Sequence, residues 1–341
     1  MIVSEFWLNF ADREFDKKIG IDLSKKEHDY YFGSYSSFYI HEEMLKDTVR
    51  TRAYQRAIEE NPDDFKDKIV LDIGCGTGIL SIFAARAGAK HVYAIENAEI
   101  ALFAEEIIKK NNLSDKITVI KGKMEEVLLP VQKVDIIISE WMGYFLLYES
   151  MLDSVLWARD RYLVKGGKML PDRATMFIAG LEDAQFKGEK KAFWEDVYGV
   201  NMSCLTPTVM REPLIDVVES RNLITSSSKI LELNLCTMKA SDVEFSSEYR
   251  LKSRYAEKIH ALVAWWDCDF SELKNPVRLS TSPEEKSTHW KQVVFYLDSN
   301  LSLDVDDVIH GSVANRKSLT NFRELDIKIS THLNSNTMKN D

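Results

Sequence analysis

The sequence predicts a protein of two parts, a parallel α/β sheet flanked by helices followed by a β domain of barrel or sandwich type. Strand-like and helix-like segments alternate in the first half, in a βαβαβ order. Beyond Pro171 the segments are mostly strand-like. A length of 341 residues leaves room for two hydrophobic cores. In a sheet of the first kind, ligands bind at the carboxyl ends of the strands.

The elements of the first half can be assigned in order from Ile69. They are the strand IVLDI, the helix ILSIFAARAG, the strand HVYAIE, the helix IALFAEEIIKKN, and the strands ITVIKG and VDIIISE. An amphipathic helix is expected from Met151 to Tyr162, ended by Gly166 and Gly167. Each segment has the length and the apolar spacing of a strand or a helix in an α/β fold.

The second half is predicted from segments with the composition of strands. These are RATMFIAGL, KILELNLCTM, VEFSSEYRL, IHALVAWWDCDF, HWKQVVFYLD and ELDIKIS. The stretch at about 186–213 is rich in aromatic residues and has no strand period, so it is expected to be an insertion or arm. The polar tail after Ser330 is expected to fray.

Composition and charge exclude several classes of protein. Forty-four Lys and Arg against fifty-four Asp and Glu give a net charge of −10, which argues against direct nucleic-acid binding and favours basic partners. The four cysteines form no CxxC pair, so we expect neither a disulfide framework nor a metal site. No apolar run reaches the roughly 18 to 20 residues of a membrane span, and no signal peptide is apparent, so a soluble intracellular protein is expected.

A glycine turn follows the first predicted strand of the α/β part. In VLDIGCGTG, Gly74, Gly76 and Gly78 have the spacing GxGxG, which lets the backbone turn sharply and approach a ligand. A dinucleotide fingerprint needs its third glycine one position later. Glu96 ends the next strand, where an acid can bind ribose hydroxyls. The pattern favours S-adenosylmethionine, and the alternative is a simple turn with surface acids.

Two glutamates flank the segment after the last strand of this sheet. In SEWMGYFLLYES, a turn at Met142 to Gly143 would fold the segment back, so that Glu140 and Glu149 face one pocket. Two buried carboxylates require a cation or a shared proton, and a guanidinium can bridge both. Alternatively, the two acids are surface residues or ion-pair partners of arginines in the following helix. That alternative concerns Arg159 and Arg161.

Several motifs together resemble one known family. SEWMGYFLLYES is similar to the double-glutamate loop of the protein arginine methyltransferases, and THWKQ is similar to their THW loop. YYFGSY, IHEEMLKD with VRTRAY, VLDIGCGTGIL, KGKMEEV and HALVAWW stand in the expected order, from roughly Tyr30 to Ile329. The chain resembles a type I enzyme of the predominant eukaryotic branch.

The resemblance implies a fold and the boundaries of its domains. The fold is α/β, with a Rossmann-like S-adenosylmethionine-dependent methyltransferase domain followed by a β-barrel domain that carries an inserted dimerisation arm. The expected limits are 1–40 for an amino-terminal helical lid, 41–172 for the cofactor domain and 173–341 for the barrel substrate domain, with the arm at about 186–213.

The family's motifs also imply which residues bind the cofactor. Arg50 would hold the carboxylate of S-adenosylmethionine and Glu96 its ribose, while Tyr35 would fold over it as part of the lid. The other positions expected to bind the cofactor are His41, Asp72, Gly74, Gly76, Gly78, Met124 and Glu125.

The same resemblance implies the catalytic residues. Glu140 and Glu149 would hold the substrate arginine, and His289 would pair with Asp47. A carboxylate or this pair would take the proton, and the sequence leaves that choice open. The residues that would control substrate binding and product choice are Met44, Met151 and Tyr144.

The implied activity is transfer of methyl groups from S-adenosylmethionine to arginine in proteins, which leaves S-adenosylhomocysteine. Monomethyl and asymmetric dimethyl arginine are the expected products, and Arg/Gly-rich tails of RNA-binding proteins and histones the expected substrates. A homodimer in the nucleus and cytoplasm is expected. Two alternatives are a catalytically silent scaffold of the same fold and a nicotinamide oxidoreductase, which the absence of GxGxxG disfavours.

Overall fold

The computed structural model describes residues 4–9, 31–33 and 35–334, and the strands of this part form three sheets. The strands are β1 (Ser4–Asn9), β2 (Ile69–Ile73), β3 (His91–Glu96), β4 (Ile117–Lys121), β5 (Val134–Ser139), β6 (Leu163–Leu170), β7 (Arg173–Leu181), β8 (Leu214–Asp216), β9 (Ser228–Asn234), β10 (Phe245–Lys252), β11 (Lys258–Phe270), β12 (Val277–Ser280), β13 (Gln292–Ser302), β14 (Val308–Lys317) and β15 (Leu325–Asn334).

Besides the helical residues 31–33, the helices of the described part lie mainly in the first half of the chain. They are α1 (Phe38–Lys46), α2 (Thr48–Glu59), α3 (Pro62–Phe65), α4 (Ile79–Arg86), α5 (Ile100–Lys110), α6 (Leu152–Tyr162), α7 (Ala184–Phe193) and α8 (Thr206–Val209), with 3₁₀ turns at Ser203–Leu205, Ser220–Asn222 and Ala240–Val243.

The parallel sheet has the strand order β4-β3-β2-β5-β6. Its central strands β2 and β5 are almost wholly buried, as their continuous apolar sequences predict. In the register, Ile73 pairs with both Ile95 and Ser139, so these three strands end at the same level. The glycine turn and Glu140 follow at once and Glu96 ends β3, so all three meet at one edge.

The second half is a β domain, as expected, and its strands pair antiparallel. One sheet has the order β8-β13-β11-β7-β9 with β12 beside β11, and the other has the order β1-β15-β14-β10. The 13-residue strand β11 is buried along nearly its whole length and pairs with β7, β12 and β13. It forms the centre of this half.

Residues 182–213 leave the antiparallel sheets between β7 and β8. This fully described stretch contains α7, a 3₁₀ turn and α8, and no strand. Its apolar side chains Phe193, Tyr198, Val200 and Leu205 are exposed. The stretch lies where the sequence predicts an arm.

The ends of some elements differ from the prediction. Helix α6 ends at Tyr162, and the glycines at 166 and 167 lie within β6, which the sequence analysis missed. Gly167 faces the carbonyl oxygen of Asp135 so closely that a Cβ there would lie 2.8 Å from it. A glycine that was interpreted as a helix stop therefore permits close strand packing.

The ends of the chain also depart from expectation. Residues 331–334 do not fray, because they continue β15 and pair with β14. Residues 4–9, expected to be helical as part of the lid, form β1 and pair with β15. Most of the predicted lid, residues 10–30, lies outside the described residues, as do residues 335–341. The strands β8, β12 and β14 were also not predicted from sequence.

Candidate active site

A cavity of about 540 Å³ opens at the carboxyl edge of the parallel sheet. Its volume lies within the range of small-ligand sites, about 300 to 1,000 Å³. Residues after β2, β3 and β5 line it, together with residues from both ends of the chain. The predicted site residues that line it are Tyr35, His41, Met44, Arg50, Gly74, Gly76, Glu96, Met124, Glu125, Glu140, Tyr144, Glu149, Met151 and His289.

The glycine turn presents its backbone to this cavity. Gly74 and Gly76 have φ of +71° and +54°, a region that glycine adopts without strain. A Cβ at Gly74 would lie 2.4 Å from the Cε of Met151. Glu96 braces the turn, since its carboxylate accepts hydrogen bonds from the amides of Gly76 at 3.0 Å and Ala98 at 2.8 Å.

Two residues predicted to bind the cofactor do not line the cavity. Asp72 is fully buried beneath the turn, where Ser81 donates a hydrogen bond to it at 2.6 Å. Burial raises the pKa of Asp72 to about 7. Gly78, at φ +81°, precedes α4 and faces Ile108 on α5. This geometry gives both residues a supporting position behind the turn, which corrects the predicted direct contact.

The loop from Glu140 to Glu149 folds back on itself, as predicted. Gly143 and Leu146 form an isolated bridge, and a Cβ at Gly143 would lie only 2.1 Å from the carbonyl oxygen of Tyr148. Four residues of the segment from Phe145 to Ser150 have positive φ. A loop of this shape needs many contacts to hold it.

Glu149 lies against the amino-terminal residues. The hydroxyl of Tyr35 donates a hydrogen bond to its carboxylate at 2.8 Å. Burial raises the pKa of Glu149, the hydrogen bond from Tyr35 lowers it, and the charge of Glu140 raises it further, with a net upward shift. A carboxyl group in this setting holds a proton more readily than one in water.

Glu140 forms a buried ion pair at the other side of the cavity. The Nε of Arg50 donates to its carboxylate at 2.8 Å, and both side chains are at most 9% exposed. The alternative partners were Arg159, which pairs with Asp160, and Arg161, which lies over an aromatic ring. The sequence analysis did not name Arg50 as a partner of Glu140, because it assigned Arg50 to the carboxylate of the cofactor.

His289 and Asp47 are paired, as the resemblance implies. The Nδ1 of His289 lies 2.7 Å from the Asp47 carboxylate, which also accepts the backbone N–H of His289 at 2.9 Å and caps α2 through the amide of Arg50 at 3.0 Å. Asp47 itself stays behind the cavity wall. The next residue, Trp290, donates its indole N–H to the carbonyl of Met142 at 2.8 Å.

The chain is similar to known proteins over most of its length. A family model described as the arginine methyltransferase oligomerization subdomain matches residues 172–336, and one for the ribosomal protein L11 methyltransferase matches residues 51–160. Protein arginine N-methyltransferase 1 of Schizosaccharomyces pombe is 53% identical and covers 90% of each chain. The Saccharomyces cerevisiae protein of that name is 51% identical and covers 92% of this chain and 90% of its own. The chain belongs to the protein arginine N-methyltransferase family.

Solved structures agree with this assignment. An enzyme–prozyme heterotetramer of the Trypanosoma brucei arginine methyltransferase 1 with S-adenosylhomocysteine gives a TM-score of 0.84 at 43% identity, covering 88% of this chain and 94% of that one. The arginine methyltransferase 10 of Arabidopsis thaliana gives 0.81 at 33% identity, covering 89% and 95%. The predicted fold class and enzyme class, an S-adenosylmethionine-dependent arginine methyltransferase of the type I branch, are confirmed.

Two further residues of this methyltransferase surround Glu149 and were not predicted to belong to the site. Arg323, in the loop between β14 and β15, lines the cavity and donates a hydrogen bond to the carbonyl of Glu149 at 2.7 Å. Tyr31 lines the cavity too, and its position within YYFGSY was the only signal for it. No motif marks Arg323.

In the described residues no helix is long and apolar enough to cross a membrane.

Proposed function

We propose that this methyltransferase transfers methyl groups to the guanidino nitrogens of arginine in proteins and gives monomethyl and asymmetric dimethyl arginine. The observation that carries the proposal is the presence of Glu140 and Glu149 in one cavity with the glycine turn and Glu96. An acidic pair suits a guanidinium, and a glycine turn with an acid at the end of the next strand suits a nucleoside.

The residues present fit S-adenosylmethionine. Gly74 and Gly76 line the cavity without side chains, so a ligand could lie against the backbone of the turn. Glu96 would bind the ribose hydroxyls, and Arg50 would bind the carboxylate end. His41, whose Nε2 lies 2.7 Å from the carbonyl of Tyr35, would hold the amino-terminal segment over the site. Met124 and Glu125 line the same end of the cavity.

S-adenosylmethionine supplies a methyl group that is already activated by its sulfonium. The task of the protein is therefore to orient the target and to place charge. Glu140 and Glu149 would draw the delocalised charge of the guanidinium to one side and leave electron density on the nitrogen that faces the methyl group. The N–C bond would form as the S–C bond breaks, with S-adenosylhomocysteine as the leaving group, and the methylated nitrogen would lose a proton. Glu149, with its raised pKa, is the acceptor that we propose.

Neutralising Glu149 tests this assignment. Glu149→Gln keeps the side-chain volume and removes the charge, so turnover on an Arg/Gly-rich peptide should fall about 100-fold or more. Binding of S-adenosylhomocysteine, measured by calorimetry, should stay within about twofold, because Gly74 and Glu96 are untouched. Glu42→Gln, which changes an exposed acid on α1, is the control. Near wild-type turnover would remove the acid pair from the mechanism, whereas a wild-type protein that binds without transfer would be the silent scaffold.

The methionines in the cavity support the product assignment. Met44 and Met151 both line it, with Tyr144 beside them. The carbonyl of Met44 accepts hydrogen bonds from Arg50 and Thr51, which fixes the end of α1. Bulky side chains near the target nitrogen would restrict which nitrogen receives a second methyl group. Mass spectrometry with fragmentation of the dimethylated peptide distinguishes asymmetric from symmetric product.

The net charge of −10 suits basic substrates. We propose that Arg/Gly-rich tails of RNA-binding proteins and histone tails are methylated, and that the enzyme acts in the nucleus and cytoplasm, where such proteins occur. A positively charged peptide would be drawn to the acidic surface over a distance of about one Debye length. Raising the salt concentration should accordingly raise KM.

We also propose a homodimer formed through the arm, residues 186–213. Exposed apolar side chains on the arm need a matching surface. Phe38 on α1 and Phe103 on α5 supply one, since both are about half exposed and their rings meet edge to face at 4.8 Å. The two patches lie on different parts of the chain, so each arm would reach the partner's helices in a head-to-tail pair.

A further inference from the structure

The loop between β14 and β15, residues 318–324, forms hydrogen bonds with the backbone of Glu149, the second glutamate of the acid pair. The amide of Glu149 donates to the carbonyl of Arg323 at 2.8 Å, and the Nη1 of Arg323 donates to the carbonyl of Glu149 at 2.7 Å. The hydroxyl of Ser150 donates to the carbonyl of Phe322 at 2.6 Å. Three hydrogen bonds therefore connect this loop to two consecutive residues.

Those two residues have a backbone conformation that needs such support. Glu149 and Ser150 have φ of +76° and +56°, in the left-handed region. Residues other than glycine persist there only where surrounding contacts hold them. The loop supplies both a donor and an acceptor to Glu149, so it determines the direction in which the carboxylate leaves the backbone.

The guanidinium of Arg323 also contacts the amino-terminal residues. Its Cζ lies 3.7 Å from the centre of the Tyr31 ring, a cation–π contact. Tyr35, four residues further on, donates to the carboxylate of Glu149. Arg323 thus joins three segments that are distant in sequence, and its guanidinium bonds the backbone carbonyl of the residue that carries the carboxylate.

We propose that Arg323 is a positioning residue for Glu149, which it orients through the backbone and toward which it directs a positive charge. The proposal rests on the proposed function, in which Glu149 acts as an anion toward the substrate. Arg323 acts through Glu149 and through the tyrosine that stacks on its guanidinium. Its place in the second half of the chain makes the β domain part of the catalytic apparatus.

The charge has a measurable consequence. A nearby cation favours the carboxylate, so its removal should raise the pKa of Glu149 and move the acidic limb of the kcat profile to higher pH. The titratable or charged groups that face Glu149 are Tyr31, Tyr35, Glu140, Tyr144, Tyr148 and Arg323. Of these, Arg323 is the one that carries positive charge, and the tyrosines stay neutral because burial raises the pKa of each.

Three variants separate the two roles. Arg323→Met removes the charge and the hydrogen bond, and Arg323→Lys keeps the charge without the planar fork. We expect kcat to fall about 10- to 100-fold in Arg323→Met, with its acidic limb at higher pH. In Arg323→Lys we expect the limb to return toward its wild-type position while kcat stays low. Arg316→Lys, on β14 of the same hairpin, is the control and should match wild type.

The readouts distinguish this proposal from the one beneath it. Transfer by the wild-type protein, and its loss in Glu149→Gln, test the proposed function alone. If both hold and Arg323→Met shows wild-type kcat and an unmoved acidic limb, the positioning role is wrong. S-adenosylhomocysteine binding and thermal unfolding check that each variant is folded. Should Arg323→Met not fold, an unchanged kcat in Arg323→Lys still overturns the orienting role of the planar fork.

Discussion

Asp47 connects the two halves of the molecule through one carboxylate. Asp47→Asn keeps the shape of the side chain, and asparagine caps helices as well as aspartate does, so the bond from the amide of Arg50 should survive. The amide nitrogen then faces His289, where the carboxylate had accepted two hydrogen bonds. Because that nitrogen can only donate, the bond from the backbone N–H of His289 is lost. The ring bond survives only with Nδ1 as the acceptor and without the charge of the carboxylate, which weakens it.

The structure sets the size of the effect. Hydrogen bonds to a charged group contribute about 1.5 to 3 kcal/mol each and neutral ones about 1 kcal/mol, so losing one bond and weakening the other costs about 2 to 5 kcal/mol. Asp47 is 3% exposed and cannot turn to water, whereas His289, at 16%, can turn in part. We therefore expect the lower end, a loss of about 2 kcal/mol in the free energy of unfolding. The matched control Asp63→Asn breaks a pair whose side chains are at least 70% exposed, and should leave the midpoint of urea unfolding nearly unchanged.

The pH dependence gives a second check. Burial raises the pKa of Asp47, but hydrogen bonds from His289 and Arg50 lower it more, and the net shift is downward. A lowered pKa in the folded state means that the stabilisation is complete above the unfolded value of 3.8 and is lost only as the pH falls below it. Urea unfolding, followed by tryptophan fluorescence, should show the same difference at pH 6 and pH 8. A loss below about 1 kcal/mol at both would refute the reasoning.

Two other predictions concern the acid loop and the arm. Gly143→Ala should lower turnover about 10- to 100-fold without weakening S-adenosylhomocysteine binding, because its Cβ would lie 2.1 Å from the carbonyl oxygen of Tyr148 and must displace the loop. The control is Gly188→Ala, whose Cβ would meet nothing within 4 Å. Equal turnover in the two variants would contradict the prediction. Phe103→Asp should yield a monomer of about 39.3 kDa by sedimentation velocity, while Leu128→Asp, on another exposed surface, should not; a Phe103→Asp dimer would exclude this docking surface.

The elements that the sequence predicted well are those with a strong local pattern. The strands from Ile69 to Ser139 are apolar runs, and the ends of each strand in the structure lie within a residue or two of the predicted ends. The glycine turn and Glu96 could be located because strand ends fix them. Local composition is sufficient where an element is buried on both faces.

The elements that were missed depend on partners distant in sequence. Strand β6 contains two glycines and only its register with β5 makes it a strand. β1 pairs with β15, more than 300 residues away, and nothing in its own sequence indicates that partner. Strand pairing of this kind is set by tertiary context.

The site shows the same division. Glu140 and Glu149 were found from spacing and resemblance, but the pairing of Glu140 with Arg50 joins residues 90 positions apart. Arg323 lies in a loop without a motif and reaches Glu149 across 174 residues. Chemistry-bearing side chains can be named from sequence, whereas the groups that orient them require the fold.

The hydrogen bond from Trp290 to the carbonyl of Met142 has a consequence for how such enzymes diversify. A side chain from one half fixes a loop that belongs to the other, so neither half can be inherited alone with its chemistry intact. Recombination at the junction near residue 172 would yield a chimera that keeps a nucleoside edge and loses the shape of its acid loop. A carboxyl-terminal half that is exchanged into this fold therefore needs a donor at the position of Trp290 to hold the loop.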